Sequence, residues 1–380
     1  MIPSEAQYAK LVHRRLIALS GPDTAKFLQG LVTNNVDPRG TTPFYTAFLD
    51  ARGRMLHDVF VWTHSDLHNQ REMIGAKGAG EWACYIEVDE AETEALAKHL
   101  KRHKLRSKVD IRLVDGSQEA HVCAIWGGSE ALEAISDQSQ ILSKLEDTRF
   151  IFNRTPKDAP DHKDMVRALI RPKHESSQSL GHFEEYTRLR YNYGVVEGSE
   201  IPKETHPFNK GSSLPMEYNV DISRGIDFKK GCYVGQELTI RTKHTGVVRK
   251  RILPVALFST NTPQQHLESS DQIPTSVENF ELDPSNFESA DIKQLDDTGN
   301  IKKGRATGKL ISVAGNLGLA LCRLEMMTPM KVSAEGGSWK PGMVFGIQDN
   351  KGEIIKVKPF LRDEWVARVR DIWDKKRERI

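Results

Sequence analysis

Apolar residues fall in short blocks along this chain, and most blocks are too brief for long helices. Phe44–Leu49 and Met55–Trp62 are strand-like runs on either side of Asp50-Ala-Arg-Gly53, a spacing that predicts a hairpin. Ahead of them, Ser20-Gly-Pro-Asp23 precedes Phe27, Leu28 and Leu31. This reads as a short helix capped by Ser20, with Pro22 in its first turn, Asp23 as an acidic arm and Gly30 as its stop. Residues 90–104 carry charge between Leu and Ala positions and predict another helix, and His121–Trp126 predicts a strand. Further on, residues 308–312, 318–324 and Ile354–Pro359 are short strand-like runs between glycines, as in a small β-barrel. Trp365, Val366, Val369, Ile372 and Trp373 then lie at helical spacing and predict a terminal helix over residues 364–373. The mixture is an α+β fold.

Two stretches lack any period. Residues 155–182 are polar, with Pro, Ser, His and Lys. Residues 259–300 hold nine Asp or Glu against one Lys. Both read as surface excursions.

Composition narrows the class. A chain of 380 residues exceeds one core and predicts two or three lobes. With 38% hydrophobic and 28% charged residues it resembles an ordinary globular protein. The net charge of +2 gives no global field for nucleic acid or membrane. No apolar run approaches the ~20 residues of a membrane span. Cys84, Cys123, Cys232 and Cys322 are too far apart in sequence for a disulfide framework or a self-contained zinc or cluster site. The first residues carry neither a signal nor a transit pattern.

The most informative stretch is residues 227–242. Gly231 and Gly235 permit tight or positive-φ backbone around Cys232. Gln236 and Glu237 suit the first turn of a helix running on through Leu238 and Ile240. Cys232 is therefore expected just ahead of a helix N-terminus and just after Lys229 and Lys230, both of which favour a thiolate. The other three cysteines sit in apolar contexts and read as packing. One cysteine cannot hold a cluster or structural zinc alone. If Cys232 is a metal ligand, a partner must supply the rest; if it is a nucleophile, His244 is its nearest candidate base in sequence.

At this loop the chain resembles a known family. Lys230-Gly-Cys-Tyr-x-Gly-Gln-Glu237 is similar to the signature of aminomethyltransferase-like proteins (the YgfZ/GcvT-type fold) that serve iron–sulfur cluster assembly. The run through Gly246-Val-Val-Arg-Lys-Arg251 is similar to the mitochondrial branch. Phe27-Leu-Gln-Gly-Leu-x-Thr-Asn34, Gly53-Arg-x-Leu-x-Asp-Val59, Arg190-Tyr-x-x-Gly-Val-x-Glu-Gly198, Leu214-Pro-x-Glu217 and Asn316-x-Gly-Leu-Ala320 match further motifs in order. Asn35 departs from the acid that many relatives carry.

The resemblance implies three subdomains around a central cavity. The first lobe would combine residues 1–49 and 183–243 and hold the Cys232 loop. The second would span 50–182, with the polar insertion 155–182. A C-terminal barrel would span 244–380, with the acidic insertion 259–300. It also implies a mitochondrial matrix protein, monomeric when alone, that assists [4Fe–4S] maturation with A-type scaffold proteins. Cys232 would ligate a [2Fe–2S] or [4Fe–4S] cluster shared with that partner. Tetrahydrofolate is a further implied ligand, with Gln29, Asn34, Arg190, Glu197 and Glu217 as cavity candidates; salt bridges at a domain junction, or capping and turn duty, are the alternative readings for these residues. No catalytic set is assigned. A folate-dependent one-carbon transferase and a non-catalytic folate-binding module stay open beside the assembly factor.

Three other features carry less. Arg241, Lys243, Arg249, Lys250 and Arg251 read as a solvated face or an acidic partner's docking site rather than a nucleic-acid site, since no aromatics are interleaved. His99 and His103 have metal-ligand spacing but lie among Lys and Arg. Residues 75–80 and 304–309 are glycine-containing but do not form phosphate loops.

Overall fold

The strand blocks sort into three antiparallel groups. The computed structural model describes residues 7–40, 42–63, 82–116, 119–126, 141–150, 165–171, 183–201, 213–263 and 291–373. The first group is a five-stranded sheet in the order β3 (Phe44–Leu49), β4 (Met55–Trp62), β5 (Cys84–Asp89), β2 (Arg14–Ser20), β6 (Asp110–Leu113). The second is a four-stranded sheet, β1 (Gln7–Lys10), β7 (His121–Trp126), β9 (Val166–Ile170), β8 (Ile141–Glu146). The third is a closed barrel of β10 (Lys250–Phe258), β13 (Leu317–Arg323), β12 (Gly308–Ala314), β11 (Asp291–Gln294), β14 (Phe345–Gln348) and β15 (Ile354–Pro359).

Helices cover the faces that would otherwise meet water. One face of the five-stranded sheet packs on α1 (Thr24–Gln29) and α2 (Thr93–Lys104) through Phe27, Leu28, Leu96 and Leu100. Its other face meets the four-stranded sheet and α3 (Phe183–Asn192) across a core holding Trp62, Trp126, Tyr186 and Leu189. The Cys232 loop leads into α4 (Gln236–Thr245). After β13 comes the short α5 (Leu324–Met327), and α6 (Asp363–Trp373) closes the barrel with Trp365 and Val369 buried.

Several elements differ from what the pattern suggests. Ser20 ends β2 and does not cap α1; Asp23 is the N-cap residue, and its Oδ2 accepts a bond from the Lys108 backbone N–H at 2.7 Å. The β3–β4 hairpin straddles the boundary expected at 49/50, so one sheet contains strands assigned to both lobes. Within the polar stretch 155–182, Val166–Ile170 is a strand paired on both sides. At the end of the acidic stretch 259–300, Asp291–Gln294 closes the barrel. In both cases a few apolar residues inside a polar context were enough, because neighbouring strands supply the pairing. The other residues of those stretches lie mostly outside the described ones.

The core between the two sheets contains charge. Glu87 and Arg167 are fully buried, and Arg14, Arg149, Asp147 and Glu197 nearly so. Glu87 accepts from Arg14 Nε at 2.8 Å, from Arg167 Nε at 2.9 Å and from Trp62 Nε1 at 3.0 Å. Arg149 pairs with Asp147 at 2.6 Å and with Glu197 at 2.7 Å. The guanidinium groups of Arg149 and Arg167 stand 4.7 and 4.6 Å from the Phe60 ring centroid. Burial alone opposes ionisation of Glu197, but Arg149, Arg167 and Arg190 outweigh it and hold its carboxyl well below the usual range. Removing one partner leaves a buried charge uncompensated, at a cost of about 3–5 kcal/mol. Arg167→Met is therefore expected to lower stability by that amount in urea unfolding; an unchanged midpoint would show that the network does not hold the sheets together.

Candidate functional site

The loop around Cys232 is fastened at the backbone level. Lys230 Nζ donates to three carbonyls, Gln29 O at 2.9 Å, Val32 O at 2.6 Å and Asn34 O at 2.7 Å. It also lies 5.0 Å from the Tyr233 ring centroid. Burial pulls its pKa down to about 8, with Asp227 acting in the opposite sense. The Val234 N–H donates to Gly30 O at 3.0 Å, and the Asp227 N–H to Thr33 O at 3.1 Å. The signature loop and the N-terminal motif thus form one unit. Lys230 was expected as a counter-charge for the thiol; its donors are spent on the anchor.

A second fastening involves two glycines. Gly235 has φ +78°, and a Cβ there would lie 2.2 Å from Asp50 O and 3.1 Å from Gly53 Cα. Gly53 has φ +79°, and its Cβ would lie 2.8 Å from Gly235 O. Each turn therefore needs glycine for its conformation and for its neighbour. Gly231 differs from expectation: its surroundings are open and its φ is not positive. Gln236 begins α4 and accepts from the Tyr233 N–H at 3.3 Å, while Glu237 is exposed in the first turn.

On this frame Cys232 is exposed, three residues before the N-cap Gly235. Cys84, Cys123 and Cys322 are buried, as their contexts suggest, and burial raises all three thiols, Cys123 to about 12. His244 sits in the last turn of α4, about 12 Å of helix rise from its start, and so is not placed as a base for Cys232. His103 Nδ1 is 2.9 Å from His99 O. Among the described residues no group of three or more His, Cys, Asp or Glu is arranged to hold a metal.

The remaining candidates all have partners within this chain. Gln29 donates to Asn35 Oδ1 at 2.9 Å and accepts from the Val36 N–H at 2.7 Å. Asn34 donates to Tyr45 O at 3.0 Å and to Arg224 O at 2.8 Å. Arg190 forms a bidentate pair with Glu200 at 2.8 and 3.0 Å. Glu197 belongs to the buried ion network and also pairs with His13 at 3.1 Å, and Glu217 pairs with Lys250 at 2.9 Å. Within the basic run, Arg251 is buried against Asp221 at 2.8 Å, and Lys243 lies 4.6 Å from the Trp373 ring centroid. That run is not simply a solvated face.

Tyr45 of β3, Arg149 after β8, Tyr193 after α3, Tyr218 and Trp365 of α6 surround a cavity of about 10 Å³. A drug-sized ligand takes roughly 300–1,000 Å³. A space of that size does not admit tetrahydrofolate. Arg149 reaches this interior space although nothing beside it in the sequence marks it as interior.

Comparison with known proteins places this architecture. Residues 249–341 match the family described as CAF17, C-terminal beta-barrel domain. The fold is similar to glycine cleavage system aminomethyltransferase T from Bartonella henselae, with a TM-score of 0.55 and 10% identity over 96% of this chain and 87% of that one. At that identity the likeness concerns the fold alone. Among curated relatives, the mitochondrial iron–sulfur cluster assembly factor IBA57 homolog of Phaeosphaeria nodorum is 44% identical over 96% of this chain and 82% of its own length. The homologs of Coccidioides immitis and Aspergillus fumigatus are 40% and 38% identical, covering 91% and 95% of this chain. Shared sequence of that depth over nearly the whole length means that this chain belongs to the family of mitochondrial IBA57 iron–sulfur cluster assembly factors.

Proposed function

We propose that the chain serves iron–sulfur cluster assembly in mitochondria by offering Cys232 as one ligand to a cluster whose other ligands come from an A-type scaffold protein. The observation that carries this reading is the placement of one exposed cysteine, among four, on a loop fastened by three carbonyls and a glycine–glycine contact. A thiolate needs companions to hold iron, and no companion set exists among the described residues. A fixed loop lowers the ordering cost when a partner brings them. Iron binding displaces the thiol proton, so ligation releases one proton per cysteine.

The space of about 10 Å³ among Tyr45, Arg149, Tyr193, Tyr218 and Trp365 does not favour the folate-dependent transferase reading.

Three outcomes test the proposal. Anaerobic reconstitution with an A-type scaffold, iron and sulfide is expected to give a coloured heterocomplex with the wild-type chain and none with Cys232→Ser, at equal thermal stability; a full-strength chromophore with the serine variant would sink it. Lys230→Met leaves three carbonyls without their donor, so amide exchange over residues 229–235 is expected to accelerate at least tenfold, with a loss of about 1–3 kcal/mol in stability. Unchanged exchange would mean that Lys230 does not anchor the loop. Tetrahydrofolate at millimolar concentration is expected to leave Tm unmoved; saturable binding by calorimetry would reopen the transferase reading.

A further inference from the structure

On the surface beside the Cys232 loop lies an open groove of about 870 Å³, lined by Lys26, Phe27, Gly30, Leu31, Leu105 and Arg106 among others. Gly30 connects the two: it lines the groove, and its carbonyl holds the N–H of Val234, two residues from Cys232. Phe27 and Leu31 belong to the core and show only their edges. Leu105 is different. It follows the last turn of α2 with its side chain 88% exposed and φ +45°. Glycine is the usual residue for a helix end in a positive-φ conformation, because a Cβ strains it. Here a large apolar side chain occupies such a position and is left in water.

Charge in and beside this groove is mostly of one sign: Lys26 and Arg106 line it, against the single acid Asp23. Lys101, Arg102 and Lys104 occupy the last turn of α2, Arg106 and Lys108 follow it, and Lys26 stands on the opposite side. None of these six pairs with a carboxylate within 4.0 Å among the described residues. The helix dipole accounts for cations in the last turn. It accounts in the same way for Lys26, in the last turn of α1, but not for Arg106, which lies beyond α2 on the groove's wall. The one acid in the lining, Asp23, already has an oxygen on the Lys108 N–H.

We propose that this groove is the docking surface for the scaffold protein that completes the Cys232 cluster, and that the scaffold meets it with an apolar patch edged by carboxylates. The proposal rests on the reading of Cys232 given above and deepens it. Leu105 provides the apolar contact, and the surrounding cations select and steer an acidic rim. The shared residue Gly30 makes groove and thiol neighbouring parts of one interface.

The test separates docking from ligation. The full chain is titrated with an A-type scaffold protein, cluster-free and cluster-loaded, at low and high ionic strength. Leu105→Gly suits its backbone conformation, so Tm is expected to stay level or rise while affinity for both forms falls roughly tenfold or more. Arg106→Glu is expected to weaken docking at low salt and to flatten its salt dependence. Cys232→Ser is expected to keep cluster-free docking and to lose the shared cluster. Wild-type affinity of Leu105→Gly for both scaffold forms, with the cluster still shared through Cys232, would overturn the groove and leave the cysteine reading standing. A wild-type dimer that Leu105→Gly turns into a monomer would overturn it too, by giving the groove to a second copy. A wild-type chain that neither docks nor shares a cluster would remove the underlying reading and the groove proposal together.

Discussion

Everything in the two-sheet half of the molecule is arranged around carboxylates that cannot reach water. Glu87 and Glu197 are surrounded by Arg14, Arg149, Arg167 and Arg190, which arrive from β2, the turn after β8, β9 and α3. Charges without solvent tolerate few alternatives: each must be met at hydrogen-bond distance or the structure loses several kcal/mol. The network therefore fixes how the five-stranded and four-stranded sheets face each other. One of these arginines, Arg149, also lines the small space of about 10 Å³ that Tyr45, Tyr193, Tyr218 and Trp365 enclose with it.

The site proposed for the chemistry lies at the surface, where Cys232 is exposed. The candidate site is built from backbone contacts far more than from side-chain clusters. Lys230 collects carbonyls from the segment after α1, and paired glycines let two turns touch. Such contacts hold a cysteine in place without covering it. In the role proposed for Cys232, a thiol that meets ligands on another protein requires both properties, since exposure without fixation would leave the ordering cost to be met at association.

Much of the architecture was legible in the chain. The hairpin of β3 and β4, three of the six barrel strands (β12, β13 and β15) and the terminal helix follow from local apolar period and turn chemistry, which act over a few residues. The Cys232 loop and α4 were legible for the same reason. What escaped notice depends on distant partners. Val166–Ile170 and Asp291–Gln294 are strands because neighbours pair with them, although their surroundings in sequence are polar. Lys230 looks like a neighbour of the thiol, and only the fold shows that it reaches back about 200 positions to the segment after α1. Arg167 has the composition of a surface residue and the environment of a core one. A signal existed in Met-Val-Arg-Ala-Leu-Ile170, an apolar run interrupted by a single cation, but nothing local says which side that cation faces.

The contact between Gly53 and Gly235 has a mechanical consequence. Two main chains that touch without intervening side chains have little compliance, so the cysteine turn and the β3–β4 hairpin are coupled almost as one rigid piece. In the ligand role proposed for Cys232, a pull on the sulfur would be borne by the five-stranded sheet and spread over its hydrogen bonds, and the loop would keep its shape as the sulfur is gripped and released.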